Sequence, residues 1–251
     1  MADTPPSTPI RRQFFGLDAS LYEVDGATYI VPDKHADHPY GKRIRVGEYY
    51  EPKLHKFVTR HLKNRPGSMI HAGTYIGDML PRFSQAATML YAFEPDLENY
   101  LIAKSMVEIN QLKNVYLLNA ALAQKAEVLG LVVEADGKHL KGRVQVARDE
   151  LALSDRERDT IDRQNYVASI VIDQLGITDL SLLQLDVEGF EVTVLRGAED
   201  TIRACQPAIV VEDKSPACVQ YLTDLNYRLT PTNLNGNALF LPNAAGRADD
   251  A

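Results

Sequence analysis

LLQLDVEGFEVTVLRGAE, residues 182–199, sets an apolar run against a sudden acid. The run 180–185 (LSLLQL) has the length of a strand, and its near-continuous apolar character suits one covered on both faces. Asp186 ends it, Gly189 permits a tight turn, and EVTVLRGAEDTIRAC (191–205) predicts one amphipathic helix. A strand, a short acidic turn and a helix form the repeating unit of a parallel sheet, and the acids sit where the strand ends.

Outward from that unit the alternation recurs. SMIHA (68–72), MLYAF (89–93), VYLLNA (115–120) and PAIVV (207–211) read as strands, and LENYLIAKSMVEINQL (97–112) as a helix. Buried strands separated by helices predict an α/β fold with a parallel sheet covered on both faces. YRLT (227–230) and NALFLP (237–242), joined by NLNGN (233–237), predict an antiparallel hairpin closing the sheet's edge.

Before the sheet, LYEVDG and TYIVP meet at Asp25-Gly26, a hairpin turn pair. Pro52 opens a helix whose Leu54, Phe57, Val58 and Leu62 share one face. The expected organisation is a disordered N-terminus over 1–12, a lead-in over 13–67, the main domain over 68–242 and a disordered tail over 243–251. Residues 124–170 interrupt the main domain. EVLGLVVEADGKHLKGRVQV (127–146) reads as a hairpin turning at Asp136-Gly137, and the charged run 148–165 as a solvated helix or loop.

Composition narrows the function. The chain has 251 residues, a net charge of -7 and 45% hydrophobic content, which is globular. An acidic balance argues against a nucleic-acid partner. The polar, proline-rich start is neither signal peptide nor membrane anchor, so a cytoplasmic location without a membrane partner is expected. Cys205 and Cys218 lack metal-ligand spacing and read as free thiols of a reducing compartment.

In open α/β sheets the ligand crevice lies beyond the carboxyl ends of the strands. HAGTYIGD (71–78), EPD (94–96), NAA (119–121), DVEG (186–189) and EDK (212–214) stand there. Gly73 and Gly77 let the backbone approach a ligand where a Cβ would clash. Their G-x-x-x-G spacing is neither the dinucleotide fingerprint nor a P-loop. Glu94, 21 positions after Gly73, matches the offset of a ribose-binding acid, and capping the next helix is its plainer role. A nucleoside without a pyrophosphate fits this set. S-adenosylmethionine is one, and nearby carboxylates suit its sulfonium.

In order, HAGTYIGD, AFEPD, NVYLLNAAL, LLQLDVEGFEVTVLRGA and PAIVVED resemble the FkbM-type S-adenosylmethionine-dependent methyltransferases over roughly residues 45–242. The resemblance implies a class I methyltransferase (Rossmann-like) fold, with seven strands and the last antiparallel. It also implies O-methylation of a sugar, glycan or natural-product hydroxyl. Carried over by position, His71, Ala72, Gly73, Thr74 and Gly77 border the methionine part. Glu94 and Pro95 hold the ribose side, Asn119 and Ala120 lie near the adenine, and Asp186 stands at the cofactor–acceptor junction. Asp186 and Glu188 are the expected catalytic acids, and Glu191 is structural, set against its helix's positive end. The family usually has aspartate where this chain has His71, which leaves that residue as a weaker ammonium partner, a donor to the cofactor carboxylate, or a structural group.

No metal is expected. Asp186, Glu188, Glu212 and Asp213 could gather around a hard cation, but ion pairing, for instance with Lys214, is preferred. Tyr49, Tyr50 and Glu51 either reach over the site or pack. Two other readings stand beside the methyltransferase: a nicotinamide-dependent oxidoreductase and a non-catalytic nucleoside-binding module. A homo-oligomer is compatible with the sequence.

Overall fold

The computed structural model describes residues 9–135, 138–139, 145–147, 161–212 and 214–243. Of the expected tails residues 1–8 and 244–251, of the charged run residues 148–160, the Asp136-Gly137 turn and Asp213 lie outside them. Residues 161–165 of the charged run are strand, not the expected helix or loop, because they pair with the strand before the turn.

The chain opens with an antiparallel meander of β1 (Ile10–Phe14), β2 (Leu17–Val24) and β3 (Ala27–Pro32), turning at Asp25-Gly26 as the sequence predicts. β1 corrects the expected extent of N-terminal disorder. Ile10, Arg11 and Arg12 are paired residue for residue with β2, and Arg11 holds Asp33 at 2.6 Å. Helices α1 (Pro39–Arg45) and α2 (Pro52–Asn64) follow, each with proline in its first turn, where no amide partner is needed.

Next come β4 (Ser68–Ala72), α3 (Leu80–Ala86), β5 (Leu90–Phe93), α4 (Leu97–Ile109) and β6 (Val115–Leu118). The interruption supplies β7 (Ala121–Leu122), β8 (Val128–Ala135), β9 (Lys138–His139), β10 (Gln145–Ala147) and β11 (Ile161–Ile170). The core unit resumes with β12 (Leu180–Leu185), α5 (Glu191–Arg196), α6 (Glu199–Cys205), β13 (Ala208–Val211), α7 (Pro216–Asp224), β14 (Tyr227–Leu234) and β15 (Asn237–Pro242).

Seven strands form the main sheet in the order β14-β15-β13-β12-β4-β5-β6. Its pairings are parallel except around β15, which is antiparallel to both neighbours. That is the mostly parallel, class I methyltransferase arrangement the resemblance implies. Every residue of β4, β12 and β13 is buried, which explains their unbroken apolar runs. α2 and α3 cover one face with Leu54, Val58, Leu62 and Phe83. α5, α6 and α7 cover the other with Val194, Leu195, Ile202 and Leu222. Because α2 shares a core with Met69, Leu90 and Leu182, a boundary at 67/68 cuts through packed side chains.

The order reverses at β4 and β12: from β4 the chain proceeds outward to β6, then returns to β12. A crevice therefore opens between their carboxyl ends. The return passes through a second sheet, β10-β8-β11-β7, with β9 on β8, that feeds Leu129, Leu131 and Val167 into the core.

The helix expected over 191–205 is two helices. Gly197 lies against the backbone of Ala123, where a Cβ would come within 2.2 Å of its carbonyl oxygen, and Ala198 departs from helical geometry. The lead-in docks on α4. Asn110 exchanges two 2.8 Å hydrogen bonds with the backbone of Thr28, and Ile102 and Met106 pack with Tyr29 and Ile30. Among the described residues no helix is long and apolar enough to cross a membrane.

Candidate active site

The crevice is a cleft lined from the ends of β4, β5 and β12, from the segment 120–122, and from the lead-in. Its first wall is the loop after β4. Gly73 and Thr74 both donate their amides to Phe93 O, and the Asp186 amide donates to Ala72 O at 3.0 Å, which joins this loop to the acidic turn. Gly73 has φ +79, and a Cβ there would lie 1.8 Å from Asp186 O. The glycine thus makes room for the acidic turn's backbone.

Glu94 ends β5 and is 3% exposed. One carboxylate oxygen accepts Tyr75 N–H at 2.7 Å and the other Asp96 N–H at 2.9 Å. Asp96, not Glu94, caps α4, accepting from Asn99 N–H at 2.9 Å. The Asn99 side chain also hydrogen-bonds this carboxyl, and the acceptor position that remains is open to a ribose hydroxyl. Burial pushes its carboxyl up to about 8, against the pull of the two amides.

Asp186 follows β12 and Glu212 follows β13, the adjacent strand. With Glu188 their carboxyl oxygens lie within 4.8 Å of one another. Burial, then the charge and hydrogen bond of Glu212, hold the Asp186 carboxyl well above its ordinary range. The acids thus meet one another. Glu188 adopts φ +52 and Gly189 φ +91, two left-handed residues that turn the chain into α5. Glu191 is buried and accepts Val187 N–H across the turn at 3.3 Å, a structural bond.

His71 lines the cleft floor and is 2% exposed. Its Nδ1 is hydrogen-bonded to Gln184 Oε1, its ring edge meets Phe83, and its Nε2 has no protein partner. Burial lowers its pKa to about 4. A neutral imidazole that donates through Nδ1 presents Nε2 as an acceptor.

His71, Ala72, Gly73, Thr74, Glu94, Pro95, Ala120, Asp186 and Glu188 all line this cleft. Two expected residues do not. Gly77 is packed on α4, where a Cβ would lie 2.9 Å from Ala103 Cα. Asn119 donates its amide to the carbonyls of Glu94 and Pro95 at 2.9 and 3.0 Å, pinning the loop after β5. Both support the cleft from behind. Tyr50 lines it, whereas Tyr49 is held outside by Asp25 and by Arg82 over its ring.

Asp78, His38, Tyr40, Tyr75 and Phe190 also line the cleft, and none has a role in the sequence reading. Asp78 closes the quoted loop, and burial pushes its carboxyl up to about 7. The residues from the lead-in had no local signal, because only docking on α4 brings them over the sheet.

The residues present fit S-adenosylmethionine. The wall has five carboxyl groups and, among the described lining residues, no lysine or arginine, which suits a sulfonium. Pro95, the segment 120–122 and Phe190 give apolar surface for a base, and His71 Nε2 is a buried acceptor without a protein donor.

The family model described as the methyltransferase FkbM domain matches residues 71–229. No curated protein matches the sequence. Among solved structures, a methyltransferase FkbM from Methylobacillus flagellatus KT is 14% identical with a TM-score of 0.46, covering 70% of this chain and 44% of its own. This chain therefore spans less than half of that protein. A methyltransferase from Geobacter sulfurreducens is 13% identical with a TM-score of 0.46, over 75% of this chain and 77% of its own. SMU.1697c of Streptococcus mutans, in complex with SAH, is 13% identical with a TM-score of 0.44, over 74% and 92%.

Proposed function

The chain belongs to the FkbM family of S-adenosylmethionine-dependent methyltransferases, and on that premise we propose that it methylates a hydroxyl of a sugar, glycan or natural product in this cleft. The observation that carries the reading is Asp186. It stands at the switch point of the sheet, beside the cofactor loop, as a carboxyl whose proton affinity is raised by burial and by Glu212.

Bound S-adenosylmethionine supplies a methyl group on a sulfonium, an electrophile whose leaving group is a neutral thioether. Glu94 would hold the ribose through the acceptor position its bonds to Tyr75, Asp96 and Asn99 leave free. Pro95 and Ala120 would flank the base, and the loop 71–74 would follow the methionine part. Asp186 in its carboxylate form accepts the acceptor's hydroxyl proton. With the cofactor bound, the hydroxyl oxygen's pair would form the new C–O bond as the C–S pair returned to sulfur. Glu188 orients the acceptor from the turn. Alignment supplies up to about 7–11 kcal/mol in favourable cases, and a general base typically adds about 10²–10⁴-fold.

The acidic composition supports a small-molecule acceptor over a nucleic acid. The oxidoreductase reading finds no support, because the loop after β4 lacks the full glycine fingerprint for a pyrophosphate. The test is initial rate against acceptor concentration, with SAH affinity measured separately. Asp186→Asn, which keeps size and loses basicity, is expected to lower kcat by about 10²–10⁴-fold with SAH affinity nearly intact. Glu188→Gln is expected to act mainly on the acceptor's KM. Wild-type turnover in Asp186→Asn would remove the base from this position.

A further inference from the structure

Two features of the cleft lack the chemistry that would complete them. The first is the carboxyl pair of Asp186 and Glu212. Their carboxyl oxygens lie within 4.8 Å of each other and of Glu188, and the lining contains three more carboxyl groups and, among the described residues, no lysine or arginine. Its two histidines do not supply the charge either, since burial lowers the pKa of both His38 and His71.

The second feature is His71. It is 2% exposed, with Nδ1 engaged by Gln184 and Nε2 without a protein partner. An orphaned buried acceptor costs free energy until a donor reaches it. The cofactor brings one net positive charge, from a sulfonium, an ammonium and a carboxylate. Five carboxyl groups line the cleft, and three of them, Asp186, Glu188 and Glu212, gather within 4.8 Å of one another. The acid cluster therefore asks the second substrate for donors and for positive charge, and His71 asks the bound ligands for one more donor.

We propose that the methyl acceptor is a hydroxyl compound that also bears a protonated amine, such as an amino sugar, seated with its ammonium against Asp186 and Glu212. The inference rests on the methyltransferase reading of the cleft and narrows its substrate class. A protonated amine has no lone pair, so the neighbouring hydroxyl oxygen remains the nucleophile. Anionic acceptors are repelled by the same wall.

The experiment titrates the SAH-loaded protein by calorimetry with glucosamine, N-acetylglucosamine, glucuronate and magnesium chloride. Glucosamine is expected to bind about tenfold or more tighter than N-acetylglucosamine, the ratio one charge-assisted hydrogen bond supplies, and glucuronate not to bind. Glu212→Gln is expected to erase most of that ratio while SAH affinity holds, with Glu188→Gln as the second variant should the first not fold. Equal binding of glucosamine and N-acetylglucosamine, no binding of either, or magnesium bound in place of glucosamine would each overturn the inference alone. Failure of the wild-type protein to bind SAH would instead overturn the cofactor reading beneath it.

Discussion

Gly73 and Asp186 touch backbone to backbone: a Cβ on Gly73 would fall 1.8 Å from the carbonyl oxygen of Asp186. The cofactor loop and the acidic turn are thus one packed unit, fastened further by the Asp186 amide on Ala72 O. Gly189 differs. It also has positive φ, at +91, but nothing lies within 4 Å of its virtual Cβ.

The two glycines therefore predict different losses. Gly189→Ala should cost about 1–2 kcal/mol, the penalty of a left-handed L-residue. Gly73→Ala adds a backbone clash to the same penalty and should cost clearly more, lowering stability as well as SAH binding. Urea denaturation of the two variants checks the order. Equal losses would mean that the loop can move away from Asp186.

Stability should fall as pH rises from about 5 to 8. Glu94 is pushed up to about 8, and Asp78 and Glu51 to about 7, each chiefly by burial. The folded chain then holds more protons than the unfolded one between the ordinary carboxylate range and these values. Their contribution is fully present below the unfolded pKa and is lost as pH climbs through the folded one. Glu94→Gln should flatten the upper part of the curve of Tm against pH. A flat wild-type curve would show that these carboxyls are ionised in the fold.

Gln184 fixes which nitrogen of His71 carries the proton. Gln184→Leu leaves that buried N–H without an acceptor, so it should cost about 1–3 kcal/mol by urea denaturation. Nitrogen-15 NMR of the wild-type imidazole should show Nδ1 protonated near neutral pH, and the variant should lose that preference. Protonation at Nε2 in the wild-type protein would reverse the assignment.

Much of the sheet was legible because buried parallel strands leave unbroken apolar runs, and β12 matches its predicted bounds at both ends. α3 was not. It has only seven residues, too few to show a period. α7 carried a readable signal that was passed over: Ser215 caps it, accepting Cys218 N–H at 3.3 Å, and Pro216 starts it. The helix over 191–205 kept its period through Gly197, so only the contact with Ala123 reveals the break.

At the cleft, acids ending strands were legible because chain position alone aims them. Tyr75 was not. Its φ of +54 and its 2.7 Å bond with His35 depend on the lead-in docking above the sheet. Gly77 and Asn119 carried the right local pattern but face the supporting side, a distinction of geometry and not of residue type.

The most direct measurement is calorimetric titration of S-adenosylhomocysteine into the wild-type protein and into Glu94→Ala, with circular dichroism confirming that the variant folds. The central claim is that this cleft holds the cofactor with Glu94 on its ribose. The expected result is one-to-one binding by the wild type and a loss of about 1.5–3 kcal/mol in the variant, roughly tenfold or more in Kd. No binding by the wild type, or equal affinity in a folded Glu94→Ala, would contradict it.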